Sequence, residues 1–330
     1  MYKSFYQLKK KPFEITPDPT FLFPTSRHNE ALASLYYGVT SHRGFVVLTG
    51  EVGTGKTLIV RSLLGLLQKR EVAFALVLNP GLSPFEFIRF IAGDFGLPVA
   101  GKAKDEILTV LNTFVLQRHQ RGLTTLLVVD EAHHLSSEVL EEVRLLTNLE
   151  TAQQKLLQIV LAGQPELDQK LDSFELRQLK QRIALRCHLD ALGLEECRMY
   201  MTRRLEIAGA APGNGIFADS AVMAVFRQSR GIPRLINTIC ENALLAGFAK
   251  RSPVVTGEMI EDVAKDLRLG VMTSPGDGAA VAADAQLPSN EKRLLLAIRT
   301  LLEAHERLKE EDGRLPGSLA DRTREHEPYI

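Results

Sequence analysis

The sequence predicts an α/β fold, a parallel sheet flanked by helices, with a smaller helical domain after it. Two observations carry this. Short apolar runs, "GFVVLT", "FALVLN", "LLVVD", "QIVLAG" and "LRCHL", alternate with helical stretches up to about residue 190, and beyond that point only helical patterns follow. A third observation, a glycine-rich corner directly after the first run, says where such a sheet would do its work.

The first four runs are rich in Val and Leu and do not alternate with polar residues, as expected of strands buried on both faces. Strands that alternate with helices argue for a parallel sheet. Ahead of them, "KPFEITPDPTFLFP" is turn-rich and its prolines exclude a helix there. "SRHNEALASLYYGVTSHR" then predicts a helix capped by Ser26. After the last run, "LEECRMYMTRRLEIAG", "FADSAVMAVFRQS", "RLINTICENALLAGFAKR" and "TGEMIEDVAKDLR" each predict a helix. Residues 270–290 have the Gly, Ala, Pro and Asp content of a flexible linker. An amphipathic helix at about 291–311, with Leu294, Ile298, Leu301 and Leu308 on one side, is expected to dock on a partner or a second subunit, and a polar, disordered tail follows it. The expected division is an α/β core at 1–190, a helical lid at 191–269, a linker at 270–290, and the helix and tail at 291–330.

Composition narrows the functional classes. Of 330 residues, 40 are basic and 40 acidic, so no global field advertises a nucleic-acid partner, although a local basic groove stays open. Cys187, Cys197 and Cys240 are widely spaced and form no CxxC pair, which favours reduced thiols over a disulfide framework or a zinc site. No signal peptide is evident, and no run approaches the roughly 20 apolar residues that span a bilayer. The expectation is a soluble, cytoplasmic protein.

The corner reads "TGEVGTGKTLIV". Gly50, Glu51, Val52, Gly53, Thr54, Gly55, Lys56 and Thr57 fit G-x-x-x-x-G-K-[ST], between an apolar strand and the helical "LIVRSLLGLLQK". Glycines let the backbone wrap a phosphate chain with its N–H groups inward, and the next helix adds its positive end. Lys56 would reach the β- and γ-phosphates of ATP and be exposed without them; the Thr57 hydroxyl would ligate Mg²⁺. In "TTLLVVDEAHHL", Asp130 and Glu131 end an apolar run, which places two carboxylates at the carboxyl edge of the sheet, where open α/β sheets bind ligands. Asp130 would hold the magnesium through its water shell, and Glu131 would polarise the attacking water. "DEAH" also spells a helicase box, but no second helicase-like domain follows. His133 and His134, adjacent and therefore facing different ways, suit solvated or capping roles better than a metal site.

With these motifs in order, the chain resembles the ExeA/GspA-type ATPases of bacterial general secretion, a branch of the AAA+ superfamily of P-loop NTPases. The likeness rests on "FYQLKKKPFEITPDPTFLFPTSRHNEALASLYYGV", "GFVVLTGEVGTGKT", "LLVVDEAHHLSSEVLEEVRLLTNLET", "LLQIVLAGQPELDQKL", "LRQLKQRIALRCHL" and "GIPRLINTICENALL", and spans roughly residues 1–268. It implies a lid that closes over ATP–Mg²⁺, an oligomeric ring or stack, and a partner in a secretion or envelope-export assembly. Gln164 takes the place of sensor 1, its amide near the γ-phosphate or the attacking water. Arg182 matches the usual place of an arginine finger, with Arg177 as competitor and a plain surface arginine as the alternative to both. Arg234 matches sensor 2, oriented by the Gly231-Ile232-Pro233 turn, whose apolar side would flank the adenine.

Secretion members commonly continue into a membrane span and a peptidoglycan-binding domain. Neither pattern occurs in these 330 residues, so the expectation is a shorter relative serving an export system through a partner protein, peripheral at the inner membrane. The rival reading is a DNA-bound AAA+ ATPase related to transposition regulators or replication initiators. A third is a nucleotide-dependent scaffold that hardly turns over.

Overall fold

β1 (Phe45–Gly50), β2 (Ala73–Val77), β3 (Thr125–Val129), β4 (Leu157–Gly163) and β5 (Leu185–Leu189) form one sheet in the order β2-β3-β4-β1-β5. Every pair is parallel. The computed structural model describes residues 2–14, 21, 23, 25–78, 81–213 and 215–269. The expected linker, amphipathic helix and tail lie outside the described residues.

Both faces of the central strands β1, β3 and β4 are buried, which is why their runs do not alternate. The edge strand β5 departs from that pattern, its Arg186 and His188 being exposed in alternation with less exposed neighbours. Phe45, Val47, Leu127, Val129, Ile159 and Leu161 join a core completed by helices α4 (Pro84–Asp94), α5 (Lys104–Gln120) and α6 (Ser137–Leu146). The opposite face carries α2 (Ser26–Thr40) and α3 (Lys56–Leu67), with Leu35, Leu48, Ile59 and Leu63 fully buried. Two short helices, α7 (Glu166–Leu171) and α8 (Arg177–Lys180), lead from β4 to β5.

The cap of α2 is a correction. Thr25 rather than Ser26 is the N-cap, its side chain accepting from the His28 N–H, and Ser26 is the first helical residue. Two adjacent hydroxyl residues both satisfy the capping rule; the bond three residues on decides between them.

Beyond β5, α9 (Leu194–Ile207), α10 (Asp219–Ser229), α11 (Pro233–Ala249) and α12 (Gly257–Asp266) enclose a second core that includes Cys197, Val225, Ile236, Cys240, Leu244 and Ile260. The N-terminal lead packs into this second core. It holds a four-residue helix, α1 (Tyr2–Phe5), and places Tyr2, Tyr6, Leu8 and Phe13 among the side chains of α9–α12. Lys9 and Lys10 donate their backbone N–H groups to Ala208 O, and Tyr2 Oη donates to the Glu241 carboxylate. Both cores belong to one unit, Met1–Gly278. Among the described residues the three cysteines are free, and no helix is long and apolar enough to cross a membrane.

Candidate functional site

Register assembles the site. Thr49 of β1 lies opposite Gly163 of β4, and Val129 of β3 lies opposite Leu161 of β4. The loops that leave β1, β3 and β4 therefore emerge side by side at the carboxyl edge, carrying Glu51–Thr57, Asp130–Glu131 and Gln164.

The first loop is built on its own backbone. Thr54 bonds back to Glu51 O through both its N–H (3.3 Å) and its hydroxyl (2.9 Å). Gly53 has φ +83°, and a Cβ there would lie 2.5 Å from Arg234 Cβ. The loop accepts this approach from α11 only because it carries no side chain at that point. Arg234 N–H donates to Gly53 O at 3.3 Å. Gly55 is the N-cap of α3, and no side chain caps that helix, so its first-turn N–H groups remain available to an anion.

Lys56 departs from expectation. Its side chain is buried, with Nζ donating to Gly50 O and Glu51 O at 2.8 Å each. Folded back on its own loop, the ammonium finds carbonyl partners that compensate for burial. Burial still pulls its pKa below the ordinary lysine value, against the opposing pull of Glu131, Asp130, Glu51 and Glu166.

Thr57 Oγ1 donates to Asp130 Oδ2 at 2.7 Å, and Asp130 Oδ1 accepts from the Glu131 N–H at 3.0 Å. These hard oxygen donors suit Mg²⁺. Among the described residues no cluster of three or more His, Cys, Asp or Glu could hold a metal alone. The Thr57 hydroxyl and the Asp130 carboxylate are a partial set that phosphate and water oxygens would complete. Glu131 sits in the left-handed region (φ 52°), a conformation costing about 1–3 kcal/mol that concentrates at functional sites.

A cavity of ≈ 480 Å³ joins these groups to the helical part: Lys56, Thr57, Glu131 and Gln164 line one side, Pro233 and Arg234 the other. Arg182 and Arg177 are not among its lining residues. Arg182 lines a separate cavity at the opposite edge of the sheet, beside Phe45 and Ala184, where β1 and β5 begin. Arg177 lies 4.1 Å above the ring of Phe174, which is 77% exposed.

His133 and His134 correct a second expectation. Their rings do not diverge but lie with centroids 3.9 Å apart, tilted at 41° to each other, and the His133 side chain is 8% exposed. The 3-10 turn Ala132–His134 that follows Glu131, rather than a regular helix, brings them together.

Sequence reasoning missed two further groups. Arg204 and Tyr200, one helical turn apart on α9, line the far end of the cavity. Arg204 Nη1 donates to Tyr200 Oη (2.7 Å) and Nε to Pro12 O (2.6 Å), while Tyr200 Oη donates to Asn237 Oδ1 (2.8 Å). The i, i+4 spacing was visible; burial by the N-terminal lead was not. His28, also missed, lies beneath the phosphate loop, with Nε2–H donating to Thr54 O at 3.0 Å and Nδ1 accepting from the Thr25 hydroxyl at 2.6 Å.

Burial holds the His28 pKa below its ordinary 6.5, opposed by the bond to Thr54 and by Glu196. Unfolded chain binds the proton near that ordinary value and folded chain only at lower pH, so stability falls as pH drops through the window between them. His28→Gln lacks this titration. Its stability deficit relative to the parent should narrow between about pH 7.5 and 5.5 in urea unfolding. A constant deficit would mean that His28 is not held neutral.

Sheet order, phosphate loop and acidic pair together define a P-loop NTPase of the AAA+ superfamily, and residues 39–171 match the AAA domain family. Solved structures similar in fold include the ORC2 protein of Aeropyrum pernix (16% identity, TM-score 0.57, 80% of this chain and 75% of that one). Drosophila ORC bound to DNA is another (19%, 0.57, 81% and 66%). Identities this low speak of fold alone. At the level of sequence, the chain is 45% identical over 261 residues to General secretion pathway protein A of Aeromonas hydrophila, covering 78% of this chain and 47% of that protein. In its matched part the chain belongs with the ExeA/GspA-type AAA+ proteins, and it spans about half the length of that relative.

Proposed function

We propose that this protein is an ATPase that serves a secretion or envelope-export assembly. The single observation that carries the chemistry is the 2.7 Å contact of Thr57 with Asp130 beside the loop that holds Lys56. Two parts of the chain 73 residues apart converge there on what a nucleotide phosphate and its cation need. Thr57 and Asp130 would hold Mg²⁺, which would neutralise charge on the phosphates. Lys56 and the first-turn N–H groups of α3 bind the phosphate chain. Glu131 polarises a water that attacks the γ-phosphorus; the bond to the β,γ-bridging oxygen breaks, giving ADP and phosphate, and the water's proton leaves through the carboxylate. Gln164 orients the γ-phosphate or that water. Arg234, on α11 against the loop, senses the same phosphate as the helical lid, α9–α12 with the N-terminal lead packed into it, closes on the sheet. Ile232 and Pro233 flank the adenine. Similarity to a general secretion protein supports work on an export assembly at the cytoplasmic face of the membrane, through a partner and as an oligomer.

Glu131→Gln tests this reading. It keeps the size and hydrogen bonding of the side chain but loses the base, so ATP should bind normally while hydrolysis falls by about 10²–10⁴. Parental turnover in this variant would remove Glu131 from the chemistry. Lys56→Ala is a less selective probe: with Nζ buried on two carbonyls, its loss should loosen the loop as well as weaken ATP binding.

A further inference from the structure

His133 is nearly buried, belongs to neither the phosphate loop nor the acidic pair, and touches both carboxyl-edge groups assigned to the chemistry. Its Nε2 lies 2.8 Å from the Gln164 side-chain nitrogen, and its Nδ1 lies 3.5 Å from Glu131 Oε2 and 3.4 Å from the Gln164 backbone nitrogen. The turn that carries it is fixed from several sides. Lys170 Nζ donates to His133 O (2.8 Å) and Leu135 O (2.7 Å). A Cβ on Gly163 would lie 3.2 Å from His133 N, so the end of β4 lies directly against the turn, and the tilted His134 ring lies 3.9 Å away, centroid to centroid. A ring held this firmly transmits geometry instead of absorbing it.

We propose that His133 is a positioning residue that ties the Gln164 amide to the Glu131 carboxylate, so that the two are set together. This rests on the roles given above to Glu131 and Gln164. A neutral imidazole offers one donor and one acceptor, and each arrangement has a different consequence here. With the proton on Nδ1, the ring faces the Glu131 carboxylate with a donor, and Nε2 accepts from the Gln164 NH₂ group. The amide oxygen is then turned to the cavity, as an acceptor for water. With the proton on Nε2, the ring donates to the amide oxygen and Nδ1 accepts from the Gln164 backbone N–H. The amide NH₂ is then turned to the cavity, as a donor for phosphate, and Glu131 loses its partner on the ring. One tautomer therefore holds the base and presents an acceptor; the other frees the base and presents a donor. Burial and the adjacent His134 both disfavour the charged imidazolium, which would donate from both nitrogens and erase the distinction.

The test is a double-mutant cycle on ATP turnover, with ATP affinity measured in parallel. His133→Phe keeps the ring volume and removes both nitrogens; His133→Leu serves the same cycle if the phenyl ring disturbs folding. Either should lower kcat by up to about 10²-fold while KM and ATP affinity stay within about twofold, because the residue acts on geometry at the reacting atoms and not on binding. His133→Gln, which retains a donor and an acceptor, should recover most of that loss. Combined with Gln164→Leu, His133→Phe should add little to the loss caused by Gln164→Leu alone, since the link has already been cut. Additive losses, a change confined to KM, or failure of His133→Gln to rescue would each overturn the coupling. If Glu131→Gln abolishes turnover and the cycle is additive, only the coupling fails. If Glu131→Gln turns over normally, the assignment of the base fails.

Discussion

Arg182→Ala is expected to bind ATP with unchanged affinity and to lose about 10³–10⁵ in turnover, the range for removal of an essential arginine finger. The structure makes the geometry of this expectation specific. Arg182 lies at the edge of the sheet where β1 and β5 begin, whereas the phosphate loop lies at the edge where β1 ends. Its guanidinium makes no hydrogen bond among the described residues, although Glu150 feels its charge. An arginine so placed cannot reach the phosphates of its own chain without unravelling the sheet, so a catalytic role has to be played on a second subunit. Mixing supplies the check. Arg182→Ala combined with Lys56→Ala should regain hydrolysis, because a mixed interface can pair an intact loop with an intact arginine. Arg177→Ala should stay near parental activity, its guanidinium being engaged on the Phe174 ring. Mixtures that remain inactive although mixed oligomers form would refute action in trans.

Gly231→Ala should carry the largest stability cost. Gly231 has φ +75°, and a Cβ there would drive into the carbonyl oxygen of Leu192, with Leu192 C at 3.0 Å. The same two residues are joined by Leu192 N–H donating to Gly231 O at 2.9 Å. Left-handed strain on a residue with a Cβ costs about 1–2 kcal/mol, and forced displacement of a packed neighbour about 1–3 kcal/mol more. A loss near 3 kcal/mol should appear as a lower urea midpoint. Since the turn also positions α11 against the phosphate loop, nucleotide affinity should fall with it. An unchanged midpoint would show that the backbone of Leu192 yields freely.

The central strands were legible because burial on both faces leaves unbroken apolar runs, and the phosphate loop because its glycines and lysine obey a fixed spacing. What escaped depends on contacts distant in sequence or on local backbone geometry. Arg204 looks like a solvated helix residue until Pro12, 192 positions away, accepts its hydrogen bond. Lys56 looks like an exposed cation until the carbonyls of Gly50 and Glu51 turn out to be its partners. His133 and His134 diverge on an ideal helix but come into ring contact once Glu131 takes a positive φ. In each case the residue type was visible and its environment was not.

The bond from Arg234 N–H to Gly53 O has a mechanical meaning. It fastens the phosphate loop to the first turn of α11, a helix of 17 residues and so a rod of about 25 Å. A pivot at that fastening turns small displacements into large ones: a swing of about 10° would carry the far end through about 4 Å over such a length. The middle of the rod bears Glu241, clasped by Tyr2. A shape change in the loop as phosphate enters or leaves would thus be geared up along α11 and delivered to the start of the chain.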